Sequence, residues 1–259
     1  MIEELWRFLD LQRGIVLALI FIPFETLLPL HPDQKTLRKG FGLDLVYLVL
    51  NGLLIKAALF WIIMLILAAG PAIVPESVRT FVQSRPLWLQ VIGVLLVGDL
   101  GFYWAHRMFH HVPWLWRFHR IHHSIEELDW LAAHRVHALD QIVTKTVSLA
   151  PCYALGFSEA ALLIFAVVYG WHSILLHANV SIRFGPLERV IASPVFHHWH
   201  HANEPEAYDR NFAGQFSLWD HVFGTAYRSD RLPARYGTDD PVPEGFAAQA
   251  LDPFRPRRT

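Results

Sequence analysis

Apolar residues in this chain fall into long runs, not the short alternating stretches typical of strands. Residues 14–30, GIVLALIFIPFETLLPL, are broken only by Pro23, Glu25 and Pro29. Residues 43–70 are apolar apart from Lys56 near their middle and a few polar positions at the start, and residues 86–105 carry Asp99 as their one charge. A helix needs about 20 residues to cross a bilayer, so these three stretches are expected to span it, the first with least to spare. Residues 141–176 are also apolar, but Pro151 and Gly156 interrupt them and predict a hairpin of two shorter helices. The pattern therefore predicts an all-α integral membrane bundle, with three long spans, a membrane hairpin and a histidine-rich helical cap.

Composition strengthens this picture. Hydrophobic residues make up 53% of the chain and charged ones 17%, against about a quarter in soluble proteins. A formal net charge of −1 offers no basic field for nucleic acid. The single cysteine, Cys152, excludes an internal disulfide framework and a cysteine-rich metal site. The acidic, amphipathic N-terminus MIEELWRFLDLQRG has no small-residue cleavage site and reads as a retained segment, not a cleaved leader. No internal repeat or linker divides residues 1–259, which read as one membrane-embedded domain.

Charge also predicts orientation. Lys35, Arg38 and Lys39 crowd the loop after the first run, and Arg107, Arg117 and Arg120 follow the third. The loop between the second and third runs holds only Arg79 and Arg85. Positive loops face the cytoplasm, so everything from His106 onward is expected on that side, with the hairpin returning the chain to it.

Histidine is the informative excess: of sixteen, all but His31 and His221 lie between His106 and His201. His106 and His110 form HxxxH, one helical turn apart. His119, His122 and His123 form HxxHH, and His197, His200 and His201 repeat it. On a helix each set shares one stripe. Eight imidazoles exceed the needs of one ion and suit two, with a coordination position left open. His111 and His198 fall out of phase and are expected to point elsewhere. His177 in GWHSILLHAN is a further candidate ligand, and His172 is expected behind the ligands. In HRVHALD, His134 and His137 stand near Arg135 and Asp140, where bracing and direct ligation are both open. Asp99 shares a helical face with Tyr103, His106 and His110, so its carboxylate is expected to accept an N–H bond from a ligating imidazole. His31 and His221 are assigned to loops. All-imidazole sites suit zinc, copper, iron or nickel, and spacing alone does not choose.

Taken in order, DLGFYWAHRMFH, LWRFHRIHHS, HAN, FHHWHH and NFAGQFSLWDHVFGT make the chain resemble the fatty acid hydroxylase/sterol desaturase superfamily over roughly residues 40–227. The resemblance implies a membrane-bound oxidoreductase with two iron ions and O2 as co-substrate, hydroxylating or desaturating a lipid such as a sterol or fatty acyl chain. The eight histidines match its pattern one by one, and His177 matches an additional ligand. Two motifs depart from it. RVHALD has Ala138 and Asp140 where the family has proline and glutamate, and Asn211-Phe212-Ala213 stands for Asn-Tyr-Gly. With no HPGG haem motif in the sequence, the electron donor is expected to be separate: a cytochrome b5-like protein, a ferredoxin or a reductase. The competing readings are a zinc-dependent hydrolase, a haem carrier and a metal transporter.

Overall fold

The computed structural model describes residues 2–256, with side chains from Gly14 onward except those of Leu53 and Pro71. The reading of the N-terminal segment lies outside those side chains. Ten α-helices follow in order among the described residues. Helix α1 (Ile2–Leu27) and α2 (Phe41–Ile73) are joined by a short loop. The short α3 (Glu76–Gln83) leads into α4 (Leu87–His111) and α5 (Pro113–His123). Next come α6 (Ala138–Ala154), α7 (Glu159–His177), α8 (Pro194–His200), α9 (Leu218–Val222) and α10 (Phe246–Leu251). The described residues form no strand, only isolated bridges joining Pro29 to Val180 and Ala202 to Tyr236.

Among the described residues three helices are long and apolar enough to cross a membrane: Phe41–Gly70, Leu87–His111 and Glu159–His177. The third of these is the second arm of the expected hairpin. The apolar part of α1 with described side chains, Gly14–Leu27, is shorter, whereas α7 reaches span length by itself. Gly156, at a left-handed φ of 80°, turns the chain early, leaving 19 residues in which Glu159 is the only charge. Pro151 sits inside the last turn of α6, and its carbonyl accepts the Leu155 N–H that ends the helix.

Close packing of α4 against α6 and α7 sets the histidine end. A Cβ on Gly101 would lie 2.6 Å from the Val147 carbonyl oxygen, and one on Gly98 would lie 2.9 Å from the Phe165 ring. Small residues here let helices approach without a hydrophobic drive from solvent. Ser148 Oγ donates to the Gly98 carbonyl at 2.7 Å, satisfying a hydroxyl in an apolar setting. At the other end Gln90 accepts from Ser158 N and donates to the Arg85 carbonyl, tying the α3–α4 turn to the hairpin tip. Near the histidine end a buried ion cluster fastens the loop before α2 to the segment before α6. Arg38 bridges Asp44 and Asp129 at 2.6 Å each, and Arg135 also binds Asp44.

Candidate metal centre

Four helix ends deliver the histidines. His106 and His110 occupy the last turns of α4; His119, His122 and His123 end α5; His197, His200 and His201 belong to α8. Helix α8 starts sharply because Ser193 accepts the Phe196 N–H and Pro194 takes the first helical position. His177 closes α7. These nine imidazoles sort into two groups, His106, His110, His119, His123 and His200 in one and His122, His177, His197 and His201 in the other. Within each group one ring nitrogen per residue lies within 4.8 Å of all the others. All nine are buried except His110, which is partly so.

The hydrogen bonds fix which nitrogen carries the proton. His106 Nδ1–H donates to the Phe212 carbonyl at 2.8 Å, and His119 Nδ1–H to Asp140 at 2.6 Å. His122 donates to the Arg135 carbonyl at 3.1 Å, His177 to the Ser173 carbonyl at 2.7 Å, and His200 to the Arg210 carbonyl at 2.8 Å. A neutral imidazole has one N–H, so the Nε2 atoms of these rings present lone pairs. Yet His106 Nε2 faces His119 Nε2 at 3.0 Å, and His122 Nε2 faces His177 Nε2 at 3.0 Å. Each group thus contains one pair of acceptors aimed at each other with no proton between them. Burial first, then the surrounding imidazoles, holds His119, His122, His123, His197, His200 and His201 well below the usual imidazole range, which keeps them neutral. His110 Nε2 is buried without a partner. The donor set fits metal ions, because a cation between facing lone pairs relieves what is otherwise repulsion.

Several expected residues stand elsewhere. Asp99 does not meet an imidazole: its carboxylate accepts the backbone N–H groups of Gln215 and Phe216, both at 2.8 Å. The carboxylate on a ligand imidazole is Asp140 instead, because the first turn of α6 passes α5 at that level. His172 donates to the Ala192 carbonyl at 2.9 Å and lies outside both groups. His137 caps α6 by accepting the Leu139 N–H and donates from Nε2 to the Ala250 carbonyl, so neither nitrogen is left for a metal. His134 sits in a 3-10 turn, also outside both groups. Asn211, at a left-handed φ of 58°, spends its amide on the Phe196 and Tyr227 carbonyls and the Tyr227 N–H. His221 lies in the short α9, not in a loop. His111 and His198 do turn away from both groups. His198 donates to the Ala178 carbonyl and accepts from Tyr236, whose hydroxyl also meets His31.

One important residue was not singled out from sequence. Asp220 accepts the N–H groups of Phe212 and Ala213 at 2.8 and 2.9 Å and the Thr225 hydroxyl at 2.6 Å. With Asp99 it clamps residues 212–216, and so positions the carbonyl that orients His106.

Residues 91–225 match the family model described as fatty acid hydroxylase. An ornithine lipid hydroxylase of Rhizobium tropici is 31% identical over 87% of this chain and 70% of its own length. An alkylglycerol monooxygenase of Danio rerio is 35% identical over 60% of the chain, which spans only 33% of that relative. A human cholesterol 25-hydroxylase is 28% identical over 65% of the chain and 61% of its own length. No solved structure matches.

Proposed function

The chain belongs to the fatty acid hydroxylase family, and from that premise we propose that it is a membrane-bound di-iron enzyme that uses O2 to hydroxylate, or desaturate, a lipid. One observation carries the proposal: each histidine group holds a pair of Nε2 lone pairs locked face to face at 3.0 Å. The relatives' names concern an ornithine lipid, alkylglycerols and cholesterol, so lipid is the shared substrate class.

His106, His110, His119, His123 and His200 would hold one iron, and His122, His177, His197 and His201 the other. Bound there, the iron pair supplies O2 reduction and oxidation of an unactivated C–H bond. The protein supplies position. Phe212, Asp140, Arg135, Ser173 and Arg210 fix the proton on Nδ1 and so keep Nε2 free for metal. The Phe212 ring packs against His106, His110 and His200 where the family pattern has a phenol, and keeps that side apolar. Electrons come from a separate donor: a cytochrome b5-like protein, a ferredoxin or a reductase. The site faces the cytoplasm. In support, the Arg38 loop joins the histidine end through Asp129, bringing the positively charged segments to one side.

Zinc hydrolases of the HExxH type carry their glutamate base in that motif, which this sequence lacks. Metal analysis of protein purified from iron-replete cells tests the reading. Two irons per chain without a haem Soret band are expected, together with a hydroxylated or desaturated lipid that disappears when the gene is removed. Stoichiometric zinc, or an unchanged lipid profile, would overturn it.

A further inference from the structure

The segments around α9 and before α8 reach an unexpected depth. Asp99, which binds the Gln215 and Phe216 amides, lies seven residues before His106 on α4, or about 10 Å toward the membrane centre. His172, which binds the Ala192 carbonyl, lies five residues before His177 on α7, or about 8 Å deeper. The two segments are joined to each other: Ala192 N donates to the Gln215 carbonyl, Leu218 N to the Val190 carbonyl, and Ser217 Oγ to the Glu188 carbonyl. Irregular backbone at membrane depth is tolerated only where protein satisfies its polar groups. Asp99, His172 and Ser217 do that here, which accounts for three polar side chains the metal centre does not use directly.

The outer surface of this pair is apolar. Leu187 is 62% exposed, Val222 60% and Val190 44%. Phe223 packs on Trp104, an exposed residue of α4, at a ring separation of 4.9 Å. Trp104 and the exposed Trp88 stand 16 residues apart on α4, about 24 Å, a separation suited to the two interfacial belts of a bilayer. Exposed Arg183 and Arg189 flank the apolar patch, while Arg228 pairs with Glu188 at 2.7 Å.

We infer that residues 185–192 and 213–223 form a re-entrant wedge that enters the leaflet on the histidine side. Leu187, Val190 and Val222 touch acyl chains there, and Arg183 and Arg189 lie at the level of anionic lipid head groups. The patch continues the lipid-facing surface of α4, and its cationic rim complements such a leaflet.

Fluorophores on single cysteines test the wedge in full-length protein reconstituted into lipid nanodiscs, with Cys152→Ala as background. Labels on Leu187→Cys and Val222→Cys should be quenched by lipids nitroxide-labelled near the head group and shielded from aqueous iodide. Tyr208→Cys, 49% exposed on the cap, should show the opposite pattern, and mid-span Val167→Cys should respond to deep nitroxides. In discs of anionic lipid, the double variant Arg183→Glu/Arg189→Glu should lose lipid quenching at Val222→Cys without changing it at Val167→Cys. Iodide quenching of Val222→Cys as strong as that of Tyr208→Cys would overturn the inference. So would shielding from both quenchers, which would mean that a protein covers the patch.

Discussion

Among single residues, the side chains that orient the imidazoles matter nearly as much as the imidazoles. His122→Ala and His200→Ala each remove a proposed ligand, and iron content and turnover should both collapse while the protein still inserts. Asp140→Asn is subtler. It replaces the carboxyl that meets His119 Nδ1 at 2.6 Å by an amide that can accept or donate, so the His119 tautomer is no longer fixed. Loss of such a partner lowers metal affinity or activity by about 10–100-fold, readable by chelator competition. His198→Ala should act differently from either. It removes one bond each from the Ala178 carbonyl, which keeps the Val180 N–H, and the Tyr236 hydroxyl, which keeps His31, without touching the two groups, so about 1–3 kcal/mol of stability is lost. Thermal unfolding should report that loss, with iron per folded chain near the wild-type level. His111→Ala, exposed and bonded only to its own helix, should change neither quantity.

Whole elements show what was legible in the sequence and what was not. The HxxHH and HxxxH spacings were legible because each lies within one helix end, where three- and four-residue steps determine direction. The hairpin break was legible at Gly156, which acts locally, whereas Pro151 is accommodated inside α6. Partners across the chain were not. Asp99 and its amides are more than a hundred residues apart, and a helical wheel shows the carboxylate but not the loop that meets it. The same limit hid the roles of His172 and His137, whose partners are backbone carbonyls that no pattern marks. The structure therefore moves the expected effect of Asp99 from a ligand imidazole to the backbone of residues 212–216. Asp99→Asn keeps one acceptor oxygen for two amides and turns an NH2 toward the other, so it should loosen the segment in part, while Asp99→Leu leaves both buried amides unpaired at about 1–3 kcal/mol each. Asp99→Leu should loosen residues 212–216 and raise their hydrogen exchange before it lowers iron content. Unchanged exchange in that segment would refute the clamp.

At the scale of the whole molecule, packing so many neutral imidazoles together makes the protein sensitive to acid. Burial holds the folded values of six cap histidines well below the usual range, whereas the unfolded chain titrates near about 6.5. As pH falls below that value the unfolded state takes up protons first, so stability of the metal-free protein is lost. Metal binding also requires neutral ligands, so both effects act in the same direction. Lowering the pH from about 7.5 to about 5.5 should release iron and lower the unfolding temperature together. A metal-free protein whose unfolding temperature is flat over that window would contradict the neutral-imidazole assignment.

The orienting partners also set a timetable for synthesis. His106 waits for Phe212, 106 residues downstream, before its ring is held, and both groups are incomplete until α8 exists. At about 5–20 residues per second, the histidines of α4 and α5 stand in place for several seconds as unlocked ligands. Iron loading should therefore follow membrane insertion instead of guiding it. Nascent chains stalled before residue 194 should insert their spans yet carry no tightly bound iron, while chains extended past Thr225 should acquire it.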